Sequence, residues 1–141
     1  MTDSIKQGVT VEEQMQFGED EWIEIDDGFP VRTENMAAAG YLHILIIEII
    51  YEILKKFVDA NNLGRVHSDG LTYNLSVDED GHVIKSRIPD VSFIRRANLK
   101  QFDYTKPYPG FPDLAVEVVS PTESAEDLQG KIIDYHTAGT E

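Results

Sequence analysis

The chain of 141 residues contains no cysteine, which excludes disulfides and thiolate-bound metal. Its four histidines, His43, His67, His82 and His136, include no pair at the spacing of a zinc motif. Long apolar runs are also missing. The longest apolar stretch, residues 42–53, is interrupted by His43, Glu48 and Glu52 and is too short and too polar for a membrane span. Met1-Thr2-Asp3-Ser4 has none of the basic-then-apolar character of a signal segment, so a cytoplasmic location is expected. Basic residues are scarce, with 12 Lys and Arg against 26 Asp and Glu and a formal charge of −14. Such a charge argues against a general polyanion binder, because long-range repulsion slows approach to nucleic acid. The charge is uneven. Acids from Glu12 to Asp27 crowd the first part, while Lys85, Arg87, Arg95, Arg96, Lys100 and Lys106 gather later.

The length suits one domain, residues 1–141, with one core. Thr10-Val11-Glu12-Glu13 has the form of a capping box before a short helix. Trp22-Ile23-Glu24-Ile25-Asp26 alternates and runs into Asp27-Gly28, a hairpin signal, with Phe29-Pro30-Val31-Arg32 as the return strand. Residues 35–60 read as a long helix whose inward stripe is Ile44, Ile47, Tyr51, Leu54 and Val58. Asn61-Asn62-Leu63-Gly64 ends it. Strands are predicted over residues 65–66, 71–77, 83–87 and 88–95, and a polar loop over 97–111. The run Leu114-Ala115-Val116-Glu117-Val118-Val119 reads as a strand covered on both faces. Ser124 caps a last helix that Gly139 terminates.

Glu117 is the odd residue of the most hydrophobic strand, and a carboxylate there is costly unless paired or metal-bound. Asp113, Ala115 and Glu117 share one face of that strand, and the small Ala115 leaves room for an ion or a substrate group. Asp90 is a second acid in an apolar setting, close to Val91 and Phe93. Two carboxylates from neighbouring strands can share a hard cation such as Mg²⁺. The plainer alternative is that each acid lies at a strand edge, solvated or ion-paired. Lys131 lies near one helix face with Leu128, Ile132 and Tyr135, where it either snorkels to solvent or reaches a buried acid.

The blocks Glu24-Ile25-Asp26-Asp27-Gly28, Pro89-Asp90-Val91 and Pro112-Asp113-Leu114-Ala115-Val116-Glu117-Val118-Val119-Ser120-Pro121 carry a resemblance. With His43, Ser124, Asp127-Leu128, Lys131, Tyr135 and Ala138-Gly139, the chain from about residue 10 onward resembles the Uma-type family, related to the PD-(D/E)xK nuclease superfamily. The resemblance implies an α/β, restriction-endonuclease-like fold, a mixed central sheet flanked by the long and final helices. It implies metal ligation, Mg²⁺ or Mn²⁺, by Asp90 and Glu117. The superfamily lysine normally stands two residues after the glutamate, where this chain has Val119; in the Uma-type pattern it moves to the next helix, here Lys131. Glu24 would be an additional catalytic acid, or else a solvated hairpin residue. His43 would be an accessory polar group, or else a core histidine.

Nuclease activity on nucleic acid, DNA before RNA, is the function so implied, and an inactive nuclease-fold binding or assembly module is the alternative. Family members usually continue past the final glycine with a further strand. This chain stops at Thr140-Glu141, so one or more late strands are expected to be absent. A homodimer across an uncovered sheet edge or the apolar helix surface is expected in consequence.

Overall fold

The structure is a computed structural model, and it describes residues 8–17, 22–32 and 40–141. Local signals set most of the elements. The Thr10 hydroxyl accepts the Glu13 N–H at 3.0 Å and opens α1 (Val11–Met15). Asp27 and Gly28 take φ of 49° and 82°, the paired positive values of a tight hairpin turn. They join β1 (Ile23–Asp26) to β2 (Phe29–Arg32) with Asp26 opposite Phe29. The long helix is α2 (Tyr41–Ala60); residues 35–39 of its predicted span lie outside the described residues. There follow β3 (Gly64–His67), β4 (Tyr73–Val77), β5 (Val83–Arg87) and β6 (Val91–Arg95), a 3-10 turn at Arg96–Asn98, β7 (Leu114–Val116) and α3 (Ala125–Ala138). Ser124 caps α3 by accepting the Asp127 N–H at 3.0 Å.

The strands form two antiparallel sheets where one central mixed sheet is expected: β2-β1-β5-β4 and β3-β6-β7. The break lies at Ile88-Pro89-Asp90. Pro89 has no N–H to give to a ladder, so the strand predicted over 88–95 starts only at Val91, and the chain passes there from the first sheet to the second. It crosses in the opposite sense between β3 and β4. The sheets stay in contact through Tyr73, whose hydroxyl donates to Ser92 Oγ at 2.6 Å. Tyr73 also forms the one parallel pairing among the described residues, a bridge to Tyr108.

Three apolar clusters fill the fold. α2 packs Ile47 and Val58 against Val66 and Val91 of the second sheet, with Leu54, Phe93, Val116 and Val118 around them. Ile25, Val83 and Val9 fix α1 and the hairpin to β5. Tyr73, Ile94 and Tyr108 join the sheets. Two expectations are corrected. Ile44 is exposed rather than inward, and the apolar run after Pro112 is a strand only as far as Val116, with Leu114 and Val119 exposed. β7 is the edge of its sheet, so one flank has no strand to cover it among the described residues.

Gly64 shows how tightly β3 meets β6. Its φ is 153°, and a Cβ placed there would lie 2.0 Å from the Ile94 carbonyl oxygen. No side-chain rotation relieves a clash between Cβ and backbone. Gly64→Ala should therefore destabilise the fold by well over 1 kcal/mol, measured as a lowered urea midpoint with an unchanged slope.

Candidate metal centre

The candidate acids lie where the chain changes sheet. β6 and β7 pair Val91 with Val116, and continuing that register by one residue sets Asp90 opposite Glu117. The pairing is irregular at that point, because Asp90 N–H donates to the Val116 carbonyl at 3.0 Å, one residue short of Glu117. Val118 N–H donates at 2.6 Å to Asp90 Oδ2, so the carboxylate fixes the backbone just past the end of β7. On the other side, β3 ends where His67 pairs with Ser92, and Asp69, in the turn that follows, lies close enough to Asp90 for the two charges to act on one another. Asp69, Asp90 and Glu117 thus form one row of acids, each within electrostatic reach of Asp90, at one end of the second sheet.

α3 covers the row. Tyr135 donates its hydroxyl to Glu117 Oε1 at 2.8 Å. Lys131 Nζ lies 3.7 Å from Glu117 Oε2 and 2.8 Å from Glu123 Oε1. The shorter contact is an ion pair by distance but poorly aligned for a hydrogen bond, since Glu123 Oε1 has no hydrogen-bond partner. Lys131 therefore reaches the buried acids instead of snorkelling away from them. α3 is held in turn by Arg87, whose Nε and NH2 both donate to Asp134 Oδ2, at 3.0 and 2.6 Å. The same guanidinium reaches Glu24 Oε1 at 3.2 Å through NH1, and Ile88 N–H donates to Glu24 Oε2 at 2.9 Å. Glu24 is buried, with both oxygens engaged, and its charge acts on Glu117, Lys131 and Tyr135. His43, half-buried in α2, is close enough for its charge to act on Asp90.

Burial dominates the titration of these groups. It pushes Glu117 up to about 7, against the pull of Lys131 and the Tyr135 hydroxyl, and the charges of Asp90 and Glu24 push the same way. Asp69 is raised to about 6 by burial and by the Asp90 charge, with the Gly70 N–H opposing. Asp90 is also raised by burial, although Val118 N–H, His43 and Lys131 counter it. For Lys131, burial works against the ammonium, but Glu117, Glu123 and Glu24 together outweigh it and hold the pKa above the ordinary lysine value.

The donor set, carboxylates at the end of a sheet with one buried oxygen of Asp69 lacking any partner, has the chemistry of a site for a hard divalent cation. Asp90 and Glu117 do not, with a third acid or histidine, bring all their ligand atoms within 4.8 Å of one another. Among the described residues only Asp78, Asp80 and His82 do that. They lie around the β4–β5 turn, where Asp78 Oδ1 already accepts the N–H groups of Asp80 and His82 at 3.0 and 2.8 Å. A surface cavity lined by Ala115, Ile132, Tyr135, His136, Thr140 and Glu141 meets the acid row only at Tyr135.

Sequence reasoning missed Asp69, Glu123, Arg87 and Asp134. Tyr135 had a usable signal, four residues after Lys131 on one helix face. Asp69 had none, since Ser68-Asp69-Gly70 reads as an ordinary turn. Of the clustered basic residues, Lys85 is paired with Asp26 and Asp134, and Arg87 with Glu24 and Asp134. Arg95, Lys100 and Lys106 contact Glu141, the Pro109 carbonyl and Glu12. The two least exposed members of the stretch, Lys85 and Arg87, are thus committed to ion pairs inside the fold.

A family model for Uma2, described as "putative restriction endonuclease", matches residues 11–141. Among solved structures, the chain is similar to a protein from Anabaena variabilis described as a "putative nuclease belonging to DUF820". The two share 18% identity over 94% of this chain and 70% of that one, with a TM-score of 0.71. The α/β fold is accordingly restriction-endonuclease-like. No protein of curated function matches. No helix among the described residues is long and apolar enough to cross a membrane.

The raised pKa of Glu117 has a stability consequence. A carboxyl whose folded pKa exceeds its unfolded value binds more protons when folded, so stability is full below about 4.5 and is lost as pH rises through about 7. Glu117→Gln removes that loss. Without divalent metal, the variant should be more stable than the parent at pH 8 by up to roughly 3 kcal/mol, and near parity at pH 4.5. Urea unfolding at the two pH values measures the difference.

Proposed function

Because the chain belongs to the Uma2 family, we propose that it is a metal-dependent nuclease that hydrolyses phosphodiester bonds of nucleic acid, DNA before RNA. The observation that carries this reading is the meeting of Asp90 and Glu117 at one end of the β6–β7 pair, where Val118 N–H holds Asp90 and the two charges act on one another, with Lys131 3.7 Å from the glutamate. Asp90 and Glu117 would hold the ion, Mg²⁺ or Mn²⁺. Bound there, a divalent cation supplies Lewis-acid polarisation of the phosphate.

The protein's own groups do the rest. Val118 N–H fixes Asp90 by one oxygen and so directs the other. The Tyr135 hydroxyl sets the plane of Glu117. Lys131 is a charge preorganised beside the acids, able to stabilise the negative charge that develops on the phosphate. Glu24 acts from behind: by holding Arg87, and through it Asp134, it orients the helix that carries Lys131 and Tyr135. His43 tempers the Asp90 charge. The cytoplasmic location expected above goes with this substrate class.

The test is cleavage of labelled DNA and RNA with Mn²⁺, beside a metal titration of the same protein. Asp90→Asn and Glu117→Gln should lose both metal binding and cleavage. Lys131→Ala should keep metal binding and lower the cleavage rate by roughly a hundredfold. Full activity of Lys131→Ala would remove the lysine from the mechanism. A parent protein that binds no metal and cuts nothing would be a nuclease-fold binding module.

The protein is also proposed to act as a homodimer. α2 carries a second apolar stripe, Leu42, Ile46, Ile49, Ile53 and Phe57, all exposed and one-third of a turn away from its core face. A contiguous apolar surface of this kind marks an interaction site. A two-fold axis through its middle lays two such stripes antiparallel. Light scattering at micromolar concentration should give twice the chain mass, and Ile49→Glu with Ile53→Glu should halve it. A monomeric parent protein would overturn the dimer and leave the metal centre untouched.

A further inference from the structure

Asp69 is a charged group with no part in the reaction just described. It follows β3 by two residues, in the segment where the chain leaves the second sheet for the first. It lies within electrostatic reach of Asp90, and it follows β3, which flanks β6 on the side away from β7. A turn aspartate with no task would leave its oxygens in water. Asp69 Oδ1 is instead buried and has no hydrogen-bond donor, while the Gly70 N–H serves the carboxylate from its own loop. A buried anionic oxygen without a donor is costly, and a second acid beside it raises the cost. The orphaned oxygen and its place in the row are independent observations, and both point to a cationic or hydrogen-donating ligand between Asp69 and Asp90.

Resting on the metal reading above, we propose that Asp69 is the third carboxylate of the site and holds the divalent cation through one of the cation's water molecules. Direct ligation alongside Asp90 and Glu117 is excluded by spacing, because these ligand atoms do not all lie within 4.8 Å of one another. Ligands of one octahedral ion bonded at about 2.1 Å are never further apart than that. An ion of the Mg²⁺ type keeps several waters when bound by one or two carboxylates, and such a water is a strong donor for Asp69 Oδ1. Asp69 is thus a positioning residue: it acts on the cation and its water through a hydrogen bond and supplies no bond to the metal.

Calorimetric titration of the full chain with Mn²⁺ tests this, with the parent protein, Asp69→Asn, Asp69→Ser and Asp90→Asn compared, and folding followed by circular dichroism. Removing a hydrogen-bonding partner just outside the ligands costs 10- to 100-fold in affinity. Asp69→Asn and Asp69→Ser are therefore expected to bind Mn²⁺ about 10- to 100-fold more weakly with the fold intact, while Asp90→Asn binds none. Binding by either folded Asp69 variant within twofold of the parent, with Asp90→Asn still inactive in binding, would overturn the role of Asp69 alone. A folded parent protein that binds no Mn²⁺ would overturn the metal reading and this inference with it. Loss of binding in both Asp69 variants as complete as in Asp90→Asn would make Asp69 a direct ligand and overturn the water-mediated role.

Discussion

A proline that cannot extend a ladder governs this fold. At Pro89 the strand from Val83 has to stop, and the chain resumes at Val91 in a different sheet. The peptide groups released at that break need partners. Asp90 supplies them twice, with its N–H to Val116 and its carboxylate to the Val118 N–H. The same interactions that repair the break turn an acid towards the end of β7, where Glu117 stands. A break of pairing and a concentration of carboxylates thus share one cause. With Gly64 seated against the Ile94 carbonyl, β3 has little freedom to slide, and the position of Asp69 beside Asp90 follows from it.

A second layer of charge holds the cover on this row. Arg87 binds Asp134 of α3 with two donors and Glu24 of the hairpin with a third. A buried ion pair of this kind adds little net stability over an apolar replacement, yet losing one partner leaves an uncompensated charge inside the protein. Its value is therefore geometric: it fixes the azimuth of α3, and with it the direction of Lys131 and Tyr135. The hairpin, β5 and α3 are tied in one network although Glu24 and Asp134 lie far apart in the chain.

Local chemistry was legible in the sequence. The Asp27-Gly28 turn, the Thr10 and Ser124 caps and the end of α3 at Gly139 all have short-range causes, and they stand where the residues put them. The odd carboxylate Glu117 and the acid at Asp90 were legible because charge in an apolar run has to be compensated. What was not legible depends on distant pairing. The split into two sheets is decided by which strands meet, although Pro89 marks the place. The Arg87 network joins residues more than sixty positions apart. The inward stripe of α2 was read as one face because periodicity reports an apolar helix without saying how many faces are apolar. Asp69 was hidden because a turn aspartate with one buried oxygen and a solvated one are spelled alike.

The upward shift of the acid row has a consequence for the ion binding proposed above. The formal charge of −14 counts every carboxyl as ionised, but Glu117 and Asp69 titrate near 7 and 6. Near neutrality the row therefore keeps part of its protons, and metal binding there, as proposed, would be an exchange of protons for metal rather than a simple addition. Apparent affinity then climbs with pH, and the heat of loading depends on the buffer that receives the released protons. On that proposal the acidity of the surroundings would govern how much of the protein is charged with metal, alongside the concentration of the ion itself.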